Sequence, residues 1–233
     1  MSVIAIIPAR GNSKRIRDKN LQSLDGHSLL AWAIGSAKLS SKIDEVYVSS
    51  DSEKIKNETS RYKAKFLTRP NNLSGDFSSS LDVIKYVVKN QLKIVPKFIV
   101  LLQPTSPLRE KELIDNSIRK FEASKNHNYS VEVVKFNANF AKLNNDNLEF
   151  ESIRRTQDLS DRYFPSGRIF IYKTEDIFFK EKKPKIMPLF GPKHQFNINI
   201  DSEDDLILLD YLYPNLAKNF KYIKSYLDKL IKN

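Results

Sequence analysis

The chain has 233 residues, 40% of them hydrophobic, which is enough to bury one substantial core. Its 39 Lys and Arg against 28 Asp and Glu leave a charge of +11, which attracts phosphate-bearing partners without choosing among nucleic acid, anionic lipid and small molecules. The absence of cysteine excludes disulfides and thiolate metal sites, and with only three histidines, scattered along the chain, any metal is expected to take oxygen ligands.

The start, Met1-Ser2-Val3-Ile4, enters a strand-like run without a basic n-region, and no apolar stretch approaches the roughly 20 residues of a membrane span. A cytoplasmic location is the expectation. Short β-rich apolar runs then alternate with longer amphipathic ones, the pattern of strands joined by helical crossovers into a mostly parallel sheet. Strands are predicted at Val3–Pro8, Glu45–Ser50, Lys63–Leu67, Phe98–Gln103, Tyr129–Val134, Arg168–Tyr172 and near Phe196–Ile200. Helices are predicted over Ser28–Leu39, Ser52–Tyr62, Ser79–Gln91 and Glu110–Ala123, with Ser52 and Ser79 standing where N-caps would. Residues Phe140 to Ile153 read as a hairpin turning at Asn144-Asn145-Asp146-Asn147. The last segment carries Leu216, Phe220, Ile223, Leu227 and Leu230 on one helical face, a stripe that should dock. No repeat or linker divides the chain, so residues 1–233 are expected to form a single domain.

The densest feature is the loop leaving the first strand, where Arg10, Lys14, Arg15, Arg17 and Lys19 fall within ten residues. In an open α/β sheet such a loop borders the crevice where ligands bind. Arginine forks, a mobile lysine and the close backbone approach allowed by Gly11 suit a triphosphate. The loop matches neither the Walker pattern nor the three-glycine dinucleotide fingerprint. Taken alone, it reads equally well as a solvated basic loop.

Further blocks follow in order: Val48-Ser49-Ser50-Asp51, Arg69-Pro70, Leu101-Leu102-Gln103-Pro104-Thr105-Ser106-Pro107-Leu108-Arg109, Ser166-Gly167-Arg168 and Asn199-Ile200-Asp201-Ser202-Glu203. Together with Pro8 to Lys14 and Lys19-Asn20, this series resembles the acylneuraminate cytidylyltransferases, or CMP-sialic acid synthetases. The resemblance implies a Rossmann-like α/β fold, and the hairpin read above, within residues 136–165, is expected to protrude from it as a dimerisation or lid element. It also implies a homodimer that takes CTP and an acidic 2-keto sugar and releases pyrophosphate. Carried over residue by residue, Arg10, Ser13, Lys19 and Asn20 would hold CTP, Arg69 and Ser80 would border its base and ribose, Gln103 and Lys142 would face the sugar, and Asp201 would bind the metal.

Magnesium is the expected cofactor, because a hard cation held by one or two carboxylates and the phosphates suits this transfer. The bland reading of Asp201 is the N-cap of a helix over Ser202–Leu212. Where the resemblance leads one to expect a second acid, position 199 is Asn, able to offer a carbonyl oxygen but no charge. Before Gly167 the chain offers Phe164-Pro165-Ser166 where the family commonly has Arg and Asn. Arg168 either replaces that missing cation or faces solvent, and Ser166 lines the sugar side; a modified nonulosonic acid is expected in place of plain sialic acid. The alternatives are a CMP-3-deoxy-octulosonic acid synthetase, a nucleotide-binding relative with little turnover, and an anionic-polymer binder using the lysine-rich C-terminal helix. Nucleic acid is not expected as a partner.

Overall fold

The computed structural model describes residues 2–75, 78–144, 147–151, 153–178, 184–191 and 198–232. In chain order the elements are β1 Val3–Pro8, β2 Ser23–Leu24, β3 His27–Ser28, α1 Leu29–Lys38, β4 Glu45–Ser50, α2 Glu53–Arg61, β5 Lys65–Thr68 and α3 Ser80–Asn90. Then come β6 Phe98–Leu101, α4 Leu113–Ala123, β7 Tyr129–Lys135, β8 Ala141–Asn144, β9 Asn147–Phe150, β10 Tyr163–Lys173, β11 Ile186–Phe190 and α5 Glu203–Lys232.

Seven strands make one sheet in the order β11-β7-β10-β6-β1-β4-β5. All neighbours are parallel except β10, which runs antiparallel to β6 and β7. The chain moves outward from β1 through β4 to β5, then returns to place β6 on the other side of β1. That reversal leaves a crevice at the carboxyl ends of β1 and β6, where open α/β sheets bind ligands.

Strand β1 reads as an unbroken apolar run because it is covered on both faces: Ala5 and Ile7 join one core cluster, Ile4 and Ile6 the other. Helix α1 is buried at every residue from Leu29 to Ala37, and the Ser28 hydroxyl caps it by accepting from the Ala31 amide at 3.0 Å. Helix α5 lies over α1 so closely that a Cβ on Gly35 would meet Leu227 Cδ2 at 2.8 Å. The expected docking stripe is present, with Phe220, Ile223 and Leu227 buried and Leu216 and Leu230 packed against the core. Trp32 is wholly buried, its indole N–H donating to the Leu24 carbonyl.

Several expectations shift. The helix predicted over Ser202–Leu212 and the C-terminal one are a single 30-residue helix that runs through Pro214. Ser79 makes a full capping box with Asp82, whereas Ser52 makes no side-chain cap. Strand β10 begins five residues earlier than predicted, and its register to β7 slips between Pro165 and Phe170 around Gly167, whose φ is +76°. Strand β11 was not expected, and Ile198–Ile200, the described part of the predicted strand near Phe196–Ile200, lies in no strand; residues 192–197 are outside the described set. The hairpin stands as β8 paired with β9, closing Asn144 on Asn147. Among the described residues, no helix is long and apolar enough to cross a membrane.

Candidate active site

The cationic loop is pinned at both ends. Ala9 is buried and its amide donates to the Ser49 carbonyl at 3.0 Å, while Ile16 enters the core. Between them the Gly11 amide donates to Asp51 Oδ1 at 2.8 Å, and a Cβ on Gly11 would sit 2.5 Å from that of Ser52. The loop therefore lies flat on the exit of β4, and only glycine passes there. Asn20 is buried and uses its amide nitrogen on the Arg10 carbonyl at 3.0 Å, tying the loop to the short 3-10 turn at Lys19–Leu21. Ser13 is half-buried in the same loop.

Lys19 then crosses to the far wall. Its Nζ donates to the Ile200 carbonyl at 2.9 Å and to Asp201 Oδ1 at 3.1 Å, and Arg15 reaches the same oxygen at 3.2 Å. The cap reading of Asp201 does not hold: the start of α5 is closed by Ser202 and Asp205, whose carboxylate accepts from the Asp201 and Ser202 amides at 2.8 Å each. Those hydrogen bonds hold Asp205 below the usual carboxylate range, although burial works the other way. Both oxygens of Asp201 instead face the cleft, and Oδ2 accepts from Asn199 Nδ2 at 2.8 Å.

Asn199 is turned so that its carbonyl oxygen accepts from Thr105 Oγ1 at 2.8 Å and Ser106 Oγ at 3.0 Å. The oxygen that the sequence reserved for a metal is thus engaged with hydroxyls, and the amide nitrogen is what it shows to Asp201. The Ile200 amide also donates to the Thr105 carbonyl at 2.8 Å, so the exit of β6 and the approach to α5 are laced together. Among the described residues no three or more His, Asp or Glu gather as a metal cluster. The donor set fits magnesium only in its substrate-carried mode, with one protein carboxylate and the remaining oxygens from phosphate and water.

Arg69 is buried at the exit of β5, its Nη2 donating to the Ser49 carbonyl at 2.7 Å. Burial pulls its pKa down to about 10, against the favourable charge of Asp51, with Arg10 adding to the fall. The loop, Asp51 and Arg69 therefore share one electrostatic neighbourhood.

Gln103 reaches the opposite side of the cleft beside Gly167. Ser166 and Arg168 do not behave as expected there. Ser166 is buried and donates to Glu132 Oε2 at 2.6 Å, and Arg168, 4% exposed, forks onto Glu132 and Glu110. Arg168 thus neither faces solvent nor presents its fork to the cleft. Ser80 opens α3, half-buried, and Lys142 is exposed on β8, where its charge acts on Glu151. Among the described residues, no hydrogen bond or ion pair joins either of these two to Lys19 or Asp201.

The reading of the sequence named Arg15, Asp51, Thr105 and Ser106 only within the loop and motif blocks, with no role of their own, and missed Glu132 and Asp205. Glu132 left a visible signal, an acid inside the otherwise apolar strand Ser130-Val131-Glu132-Val133-Val134. His27 is buried between the Tyr62 hydroxyl at 2.7 Å and Asp228 at 2.9 Å, away from these residues; His194 lies outside the described set.

A cationic loop folded against a carboxylate lies at the point where strand order reverses, the place where open α/β sheets bind their ligands. The chain belongs to the cytidylyltransferase family, whose model matches residues 4–218. It is 33% identical over 180 residues to the N-acylneuraminate cytidylyltransferase of Escherichia coli O18:K1:H7 (strain RS218 / NMEC), covering 72% of this chain and 42% of that protein. It is 30% identical over 231 residues to the pseudaminic acid cytidylyltransferase of Campylobacter jejuni subsp. jejuni serotype O:2 (strain ATCC 700819 / NCTC 11168), covering 91% of this chain and 97% of that one. The match to the N-acylneuraminate cytidylyltransferases of E. coli and Streptococcus agalactiae serotype V thus spans only 42% and 55% of their lengths. The fold matches the solved structure of CMP:2-keto-3-deoxy-manno-octonic acid synthetase complexed with CTP at a TM-score of 0.68, with 14% identity over 92% of this chain and 99% of that one.

Proposed function

We propose that the chain transfers CMP from CTP to a nonulosonic sugar acid and releases pyrophosphate. The observation that carries this reading is the meeting of Lys19 and Arg15 with Asp201 across the crevice, at 3.1 and 3.2 Å. That arrangement places mobile positive charge and one carboxylate where a triphosphate would lie. The sugar's anomeric hydroxyl oxygen would bond to the α-phosphorus and lose its proton to water while the bridge to the β-phosphate breaks, so negative charge grows on the departing pyrophosphate. Lys19, Arg10 and Arg15 would meet that charge, and the flat backbone at Gly11 would bring amides near it. Asp201 is the residue offered to magnesium, which when bound supplies charge neutralisation at the phosphate oxygens. Asn199 would keep Asp201 oriented through its amide nitrogen.

Ser13, Asn20, Arg69 and Ser80 complete the nucleotide side in this reading, and Gln103 borders the sugar acid. The hairpin and its flanks expose Phe136, Leu143, Phe150, Ile153 and Phe164, an apolar surface suited to a second subunit, and a homodimer in solution is the expected assembly. Arg168 is committed to Glu132 and Glu110, which supports a sugar acid other than plain sialic acid.

The test is pyrophosphate release from CTP with magnesium across a panel of 2-keto sugar acids, with ATP, GTP and UTP as controls. Release with CTP and a diamino-type nonulosonic acid is expected. Equal release with all four nucleotides, or none with any sugar acid despite CTP binding, would sink the assignment, the latter leaving a nucleotide-binding relative with little turnover.

A further inference from the structure

Behind the crevice lies a largely buried ionic lattice whose most open acid, Glu110, keeps 33% of its side chain exposed. Arg109 is fully buried; its Nε donates to the Arg168 carbonyl at 2.8 Å and its Nη2 to the Gln103 carbonyl at 2.7 Å. From the other side the hydroxyl of Tyr222, on α5, donates to the Arg109 carbonyl at 2.7 Å. One guanidinium therefore joins the exit of β6 to the bulge in β10, and α5 braces the residue that carries it.

Those two carbonyls flank the sugar side. Gly167 is held at φ +76°, and a Cβ there would lie 2.5 Å from Ser106 Oγ, 2.7 Å from Gln103 Oε1 and 3.3 Å from Asn199 Oδ1. The backbone of the bulge is thus pressed against the Gln103 amide, with Arg109 tied to the residues on both sides of that contact. Ser166 and Arg168, bonded to Glu132, fix the bulge from behind.

Burial pulls the pKa of Arg109 down to about 9, with the Arg168 charge adding to the fall. A fully buried cation whose two side-chain hydrogen bonds go to backbone carbonyls of separate elements points to a geometric role. A planar fork meets the two carbonyls from separate nitrogens in a fixed geometry, where a lysine offers a single mobile nitrogen.

We propose that Arg109 is a positioning residue that sets Gln103 and Gly167 for the sugar acid, and that Tyr222 extends this control to the C-terminal helix. The inference rests on the reading that Gln103 borders the sugar. It separates two halves of one cleft: the nucleotide side is set by the loop after β1, the sugar side by a lattice braced from α5.

The experiment compares Arg109→Lys and Tyr222→Phe with the wild-type chain by three measurements: calorimetric binding of CTP, the KM for the sugar acid with kcat, and the side-chain amide signal of Gln103 in a 15N spectrum. Arg109→Lys should raise the KM about tenfold, and Tyr222→Phe about threefold, while CTP affinity stays within about twofold. The Gln103 amide signal should move in both variants. Should Arg109→Lys fail to fold, Tyr222→Phe decides, because it removes one hydroxyl from a half-buried ring. Parallel losses for CTP and sugar, or an unmoved Gln103 signal in Tyr222→Phe, would overturn the proposal. A wild-type chain that turns over no sugar acid defeats the functional reading instead, and the Gln103 signal still judges the positioning role.

Discussion

At the exit of β1, Arg15 keeps 67% of its side chain exposed and Lys19 13%, and both end on Asp201, itself 45% exposed. At the exit of β6, Arg109 and Arg168 keep 0% and 4%, and they end on Glu132, Glu110 and backbone carbonyls. Both groups border the same crevice and use the same residue types. The exposed group holds its carboxylate in water, where a pair is worth little and a phosphate can displace it. The buried group has given up hydration, so its partners are fixed and each removal strands a charge. Basic residues near a cleft are thus sorted by burial and partner into those that bind and those that hold shape.

The largest test of this contrast removes Lys19. Lys19→Ala should lower CTP-dependent pyrophosphate release by about 10²- to 10³-fold, as loss of one aimed charge does at other phosphate or oxyanion sites. The melting temperature should fall only a few degrees, because the Asp201 left behind is 45% exposed and can be hydrated. A variant that melts early and keeps its turnover would place Lys19 among the shape-holding cations.

The reverse outcome is expected behind the cleft. Glu132→Ala removes the carboxylate that takes Arg168 Nε and Nη2 and should cost about 3–5 kcal/mol of stability, read from urea unfolding. Arg15→Ala should change stability by less than about 1 kcal/mol and instead weaken CTP binding in a salt-dependent way. Equal unfolding costs for the two would erase the distinction.

A sharper version concerns Asn199, which stands between the two groups. Asn199→Asp would set a second carboxylate about where Nδ2 now donates to Asp201 at 2.8 Å. Two carboxylates that close repel, which a divalent ion relieves. The magnesium concentration for half-maximal activity should fall about tenfold, and manganese binding should become measurable without nucleotide. No change in either would mean that Asp201 is not where the ion sits.

What the sequence made legible follows the same division. Strand β1, the loop after it and Asp201 could be placed because a run of apolar residues, a burst of cations and a short motif are local signals. The buried lattice could not, since the partners of Arg168 are 36 and 58 residues away and nothing in Ser166-Gly167-Arg168 says that the fork turns inward. The amide orientation of Asn199 depends on Thr105 and Ser106, brought in by the fold from more than ninety positions away. Strand β11 was hidden by Pro188 and by parallel pairing to β7 across a long separation, and the first half of β10 by Pro165.

The smallest effect expected comes from Asp205, which holds the backbone of Asp201 and feels the charge of Lys19. Its carboxylate accepts from two amides and the Ser202 hydroxyl, and its pKa lies below the ordinary value of 3.8 despite burial. A depressed folded-state pKa contributes stability that is full above the unfolded value and is lost as pH falls through the folded one. The wild-type chain should therefore lose stability in the acid range below about pH 4, by up to about 1 kcal/mol from this cap. Asp205→Asn keeps an acceptor oxygen without the charge, so it should start slightly less stable at neutral pH and show a shallower acid loss. Thermal melts of both chains between neutral and acid pH decide the point: parallel curves would mean that the cap is held by geometry alone. In that case Asp201 would keep its orientation at any pH where the chain is folded.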